Sequence, residues 1–168
     1  MAIRICEECG KEIGTDAAIC THCGSPGPAS RGSGFEWRSR ANLFGIPLIH
    51  VAFGRDNTGR MRVAKGFVAI GQLAVGLITI AQFGIGVIFG FGQFVTGLTG
   101  IGQVALAVIL GIGQFATGLI AIGQVVLAVF GLAQAGWATY LWSPDRVDME
   151  AVAMFHTLLL RFRSLFGL

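Results

Sequence analysis

Residues 66–142 contain no charged side chain, no proline, no serine and no asparagine. Each absence excludes something. Helical hairpins take their connections from these residue types, so a bundle of spanning helices would have nowhere to turn. A wall facing water on all sides would need charge, so the segment requires a covering. The chain as a whole is lean in the same way, with 12% charged against 54% hydrophobic residues, three histidines and one tyrosine. Nowhere does it assemble a nucleophile with a histidine and an acid, paired carboxylates at fixed spacing, or a phosphate-cradling glycine motif opening a helix. The expectation is a non-enzymatic protein with no small-molecule substrate.

What fills the segment is a strict register. It divides into consecutive units of five or six residues, each opening on Gly or Ala: GFVAI, GQLAV, GLITI, AQFGI, GVIFGF, GQFVT, GLTGI, GQVAL, AVILGI, GQFAT, GLIAI, GQVVL, AVFGL, AQAGW, ATYLW. Glutamine recurs at Gln72, Gln82, Gln93, Gln103, Gln114, Gln124 and Gln134, in steps of ten and eleven that combine into a period of twenty-one. Fixed periods of this kind mark stacked repeats. On an α-helix a step of five advances about 140°, which would scatter Gly71, Gly76, Ala81 and Gly86 around the cylinder. On a strand, Leu73, Ala74, Val75, Gly76 and Leu77 alternate large and small, and a minimal side chain at each break permits a corner.

These units resemble the pentapeptide-repeat family. The resemblance implies a right-handed quadrilateral β-solenoid of about four coils, with four units per coil. It also implies two inward columns: a small one (Gly71, Gly76, Ala81, Gly86, Gly92, Gly97, Gly102, Ala107, Gly113, Gly118, Gly123, Ala128) and a bulky one (Leu73, Ile78, Phe83, Ile88, Phe94, Val104, Ile109, Phe115, Ile120, Val125, Phe130), which Thr99 interrupts. The six-residue units GVIFGF and AVILGI then sit one coil apart, as a repeated bulge would. Unlike soluble members, this chain places Val87, Val108 and Val129, Leu77, Leu98 and Leu119, and Ile70, Ile80, Ile101, Ile112 and Ile122 at outward positions. An apolar surface of that extent needs a bilayer, a partner or another copy over it. Four units per coil divide the glutamines into two amide ladders, Gln72/Gln93/Gln114 and Gln82/Gln103/Gln124, bonded along each column or serving as a polar track through a membrane. The competing fold is about three transmembrane helices of about 20 residues each, which hydropathy alone allows.

Cys6, Cys9, Cys20 and Cys23 form two CxxC pairs, CEEC and CTHC, each followed by Gly. Four thiolates from two such knuckles bind zinc tetrahedrally and leave no open position, so the expected cofactor is a structural Zn2+ and His22 is a surface residue. No signal-peptide pattern precedes the cysteines, and a reducing compartment favours metal over disulfides. RICEECGKEIGTDAAICTHCG closely resembles the small zinc-ribbon module of many bacterial proteins. Residues 1–30 carry Arg4 and Lys11 against Glu7, Glu8, Glu12 and Asp16, a net charge of minus two, which repels a phosphate backbone. The ribbon is therefore expected to dock protein and not nucleic acid.

The remaining boundaries follow from composition. Residues 1–25 are the ribbon, 26–35 a flexible linker, 36–65 a basic strand pair capping the solenoid, 66–142 the apolar solenoid, and 143–168 an amphipathic C-terminal helix. Residues 31–65 hold Arg31, Arg38, Arg40, Arg55, Arg60, Arg62 and Lys65 against Glu36 and Asp56, net plus five, a collar that is either a solvated face or attracts anionic lipid. LFGIPLIHVAFG reads as one apolar strand kept at an edge by Pro47, with His50 packed in it, followed by a turn at residues 56–59 and a second strand. Ser143 and Pro144 read as N-cap and first helical residue, with Met149, Val152, Phe155, Leu159, Phe162 and Phe166 along one face; that helix closes the solenoid or lies at a bilayer interface. The order of ribbon, LFGIPLIHVAFGRD, AKG and IGQ units resembles bacterial zinc-ribbon membrane proteins to which no activity is attached. The expected function is a membrane-associated scaffold at the cytoplasmic membrane, ribbon toward the cytosol, homo-oligomeric, holding lipid or a second copy against its apolar wall. The alternative is a self-assembling polymer.

Overall fold

The computed structural model describes residues 3–27, 34–56 and 59–167. Most of the linker (28–33) and the middle of the turn at 56–59 lie outside the described residues, as does the side chain of Phe166. The chain is mainly β with one C-terminal helix. Strands β1 (Ile3–Ile5) and β2 (Glu12–Gly14) pair antiparallel in the cysteine-bearing module. Then come β3 (Phe35–Arg38), β4 (Asn42–Leu43), β5 (Ile46–Pro47), β6 (Ile49–Phe53), a continuous extended segment β7 (Val63–Trp142) and α1 (Met149–Phe166). Among the described residues no helix is long and apolar enough to cross a membrane, so three spanning helices are not what residues 66–142 form.

The capping region differs from one apolar strand. Phe44 and Gly45 both take positive φ, 53° and 79°, which makes a tight two-residue hairpin turn between β4 and β5. Pro47 ends β5 opposite Asn42. β6 then pairs antiparallel with β3 on one side and parallel with the start of β7 on the other, His50 opposite Ala69 and Ala52 opposite Gly71. Around the turn after β6, Asp56 accepts from the Gly59 amide at 3.0 Å through its carbonyl and from the Arg60 amide at 3.0 Å through Oδ1.

At Gly76, Gly92, Gly97, Gly102, Gly113, Gly123 and Gly136 the nearest backbone is ten or eleven residues away, where a coil of four units would bring together residues twenty or twenty-one apart. A Cβ on Gly76 would stand 2.2 Å from the Gly66 carbonyl oxygen, one on Gly97 2.2 Å from that of Gly86, and one on Gly113 2.0 Å from that of Gly102. No side chain fits there, which is why these breaks are glycine. The Thr99 hydroxyl donates to the Ile88 carbonyl at 2.7 Å and the Thr117 hydroxyl to the Ala107 carbonyl at 3.0 Å. On the outer wall Phe83 faces Phe94 with centroids 6.2 Å apart, and Phe130 stacks on Tyr140 at 5.1 Å.

The interior also differs from the bulky column expected there. Phe83 is 55% and Ile88 50% exposed, and Ile78, Phe94, Ile109, Phe115 and Val125 are exposed as well. Of the small column expected inside, Gly71, Ala81, Gly86 and Ala107 are buried, and a longer buried column lies one residue beyond the bulky one: Ala64, Ala69, Ala74, Thr79, Gly84, Gly90, Val95, Gly100, Ala105, Gly111, Ala116, Ala121, Val126 and Gly131. They run in steps of five, with steps of six inside GVIFGF and AVILGI. Most of these side chains are small, and the larger ones are matched by neighbouring glycines. Val95 fills the space beside Gly90 and Gly100, and Val126 that beside Gly131 and Gly136. Thr79, also fully buried, leaves its hydroxyl without a hydrogen-bond partner.

The C-terminal helix begins later than Ser143 and Pro144 suggest. Ser143 closes a turn instead: its amide donates to the Arg146 carbonyl at 2.8 Å and its hydroxyl accepts from the Arg146 amide at 3.1 Å. Proline at the second position of such a turn is favoured for its fixed φ. Asp148 is the N-cap, but its carboxylate turns away from the helix and accepts from the Leu141 amide at 2.7 Å. Arg146 donates to the carbonyls of Ala138 and Thr139, so the last stretch of β7 is finished by side chains. In α1, Ala151 and Phe155 are buried, while Leu158, Leu159, Leu160, Phe162 and Leu165 are exposed.

Candidate metal centre

The two cysteine pairs fold into matching knuckles. In the first, the Cys6 amide donates to the Lys11 carbonyl at 2.8 Å and the Gly10 amide to the Cys6 carbonyl at 2.9 Å. In the second, Cys20 and Ser25, then Gly24 and Cys20, repeat both bonds at 2.8 and 2.9 Å. Gly10 and Gly24 close them at φ 69° and 73°, a left-handed conformation that disfavours any Cβ. The β1–β2 hairpin carries the first knuckle, and Ile13 packs against Cys6 and Cys20 beneath the site.

The four sulfurs lie within 4.8 Å of one another. Cys6 Sγ to Cys23 Sγ and Cys9 Sγ to Cys20 Sγ are each 3.8 Å. A disulfide needs about 2.05 Å, whereas a tetrahedron of sulfurs about 2.3 Å from a central ion has edges of about 3.8 Å. The residues therefore fit a four-coordinate metal ion such as zinc. Cys6 and Cys20 are buried and Cys23 is exposed, and His22, also exposed, belongs to no cluster able to hold a metal among the described residues.

The electrostatics point the same way. The Ser25 hydroxyl, the Cys9 and Glu8 amides and the Cys9 thiol outweigh burial and bring the Cys6 thiol down to about 6. Cys23 is lowered by the Ser25 side chain and backbone. For Cys9 the Lys11 amide pulls down, but burial and the sulfurs of Cys23, Cys6 and Cys20 outweigh it and hold the thiol up to about 12. Clustered thiols do not all ionise beside one another without a cation to take the charge.

Ser25 is the residue that sequence reasoning missed. Its Oγ stands 3.1 Å from Cys23 Sγ and 3.4 Å from Cys6 Sγ, bridging the two knuckles. The signal was available in position: Ser25 follows Cys23 by two residues as Lys11 follows Cys9, and only one of the two offers a hydroxyl.

A second polar cluster sits at the β7 end of the cap. Buried His50 receives the Lys65 amide on Nδ1 at 2.7 Å, and its Nε2 stands 3.3 Å from both Glu36 Oε1 and Arg38 Nε. Glu36 also pairs with Arg38 at 2.6 Å and with Arg62. The Arg38 hydrogen bond first, then the charges of Arg38 and Arg62, hold the Glu36 carboxyl below its ordinary 4.5. Every group here has a partner, so His50 joins β3 to the start of β7. No family model, curated protein or solved structure matches the chain.

Proposed function

We propose that this chain is a non-enzymatic membrane scaffold. In this reading β7 winds as a slim solenoid with two units, ten or eleven residues, per coil, seated in the bilayer, and the zinc-loaded ribbon stands in the cytosol to dock a protein partner. The observation that carries it is the outer wall. From Val75 to Trp137 large apolar side chains are exposed in every unit's worth of chain, Ile85 and Val87 at 58% and Val108 at 62% among them, and no charge lies between Lys65 and Asp145.

Height supports an upright placement. Eighty residues at that winding give seven to eight coils, and at about 4.8 Å per coil the stack is about 36 Å tall, against a hydrocarbon core of about 30 Å. Hydrogen bonds between coils run along the axis, so only the end coils have unpaired backbone groups, and a bilayer demands that such groups be satisfied. At one end β6 pairs on β7 and β3 on β6; at the other, Arg146 and Asp148 take up the free carbonyls and an amide. Both ends carry charge, and the more basic one, with Arg38, Arg40, Arg55, Arg60, Arg62 and Lys65, suits the cytoplasmic leaflet. The same caps oppose end-to-end stacking, which weakens the alternative of a self-assembling polymer.

Membrane fractionation tests the reading. The full chain should remain in the pellet through alkaline carbonate and high salt and leave it only with detergent. Protease added from the cytosolic side should remove the ribbon. A monodisperse protein in detergent-free buffer would refute the proposal, and lipid-independent filaments would favour the polymer.

A further inference from the structure

A coil of ten or eleven residues has a consequence for the glutamines. All seven follow a small residue at the same corner, so they fall on one edge and not on two. Gln82, Gln93 and Gln103 line one shallow groove with Ile80, Gly92 and Phe91. A Cβ on Gly102 would meet the Gly92 and Gln93 carbonyls, and one on Gly113 those of Gly102 and Gln103, so successive glutamines sit on successive coils. Gln72 accepts from the Gly54 amide at 3.2 Å. The other six are exposed, and the expected amide ladder is not formed: among the described residues no glutamine side chain bonds to another.

We infer that this edge is the seam along which two copies of the chain associate inside the bilayer, an inference that rests on the membrane placement above. An amide carries two donors and an acceptor, and acyl chains offer it nothing. Six unsatisfied amides in an otherwise apolar wall therefore favour a partner that presents donors and acceptors together at the same spacing. A second copy does so by construction. The basic collar orients both copies the same way, so a twofold axis along the bilayer normal sets each glutamine opposite its own counterpart, as an isologous interface requires. Amide pairs across packed segments are the recognised polar glue of membrane interiors.

The test uses the full zinc-loaded chain in phosphatidylcholine and phosphatidylglycerol vesicles and in detergent. A photo-crosslinking benzoylphenylalanine placed at Gln103 should give chain-to-chain product, and one at Val108, on the opposite corner, should not. The triple variant Gln93→Leu, Gln103→Leu, Gln114→Leu should stay in the membrane with an unchanged β spectrum. Its dimerisation by sedimentation equilibrium should weaken by about threefold per amide pair, roughly twentyfold in all. A parent that is monomeric, a triple variant that dimerises like the parent, or crosslinks at Gln103 only to lipid or to another protein would each overturn the seam while leaving the membrane placement standing. A parent absent from the membrane pellet would remove the placement first, and the seam with it.

Discussion

An interior of small side chains inside a wall of large ones makes an unusual forecast about mutational cost, and Leu119 and Ala121 put it on one strand. Leu119 is 53% exposed and Ala121 0% exposed. Truncating Leu119 to Ala removes a side chain only half buried by protein, so at roughly 1.5–3 kcal/mol for full burial the loss is about 1 kcal/mol. Enlarging Ala121 to Leu forces three more carbon atoms into the buried cluster that also holds Ala116, Val126 and Leu141. Overpacking costs about 1–3 kcal/mol, and a site with no exposed surface belongs at the upper end, about 3 kcal/mol. For a chain of this length each kcal/mol is worth about 2–4 °C in Tm. Leu119→Ala should therefore melt about 2–4 °C below the parent and Ala121→Leu about 6–12 °C below it, read by circular dichroism in one detergent. A core of large side chains predicts the reverse order, since Leu→Ala then costs about 2–5 kcal/mol. If Leu119→Ala proves the more damaging variant, the inward assignment is wrong.

Three further outcomes follow. Thr79→Val keeps the shape but removes a buried hydroxyl without a partner, so it should raise Tm by a few degrees, about 1–3 kcal/mol; a lower Tm would show the hydroxyl to be satisfied. Cys20→Ser, at a buried sulfur of the cluster, should abolish the stoichiometric zinc measured by atomic emission and unfold the ribbon, while the β signal of residues 63–142 persists; loss of both would mean the two parts fold as one. Glu36 has a folded carboxyl below its ordinary 4.5, so its contribution is present above that value and is lost as pH falls through the lower folded one. Melting followed from about pH 5.5 to about pH 3 should decline more steeply for the parent than for Glu36→Gln, and parallel curves would exclude the Glu36 cluster as a link between β3 and β7.

The sequence by itself marked Cys6, Cys9, Cys20 and Cys23 as a candidate metal site, and two CxxC pairs followed by glycine leave the chain little choice in how four sulfurs meet. It also determined that residues 66–142 are extended and apolar outside, since a five-residue step is useless to a helix and the segment holds no charge. Three matters were left to the tertiary structure. A period of twenty-one in the sequence does not say which residues approach one another, and only the structure brings Gly97 beside Gly86 and Gly113 beside Gly102. Alternation along a strand leaves open which phase points inward, and the answer came from burial: Phe83 and Ile88 are exposed, whereas Ala74, Ala116 and Ala121 are buried. Ser143 and Pro144 satisfy the rules for a helix start and for a turn equally well, and the Arg146 contacts to the end of β7 select the turn. Local pattern fixes what each residue can do, whereas packing in the folded chain fixes which of those uses is sterically permitted.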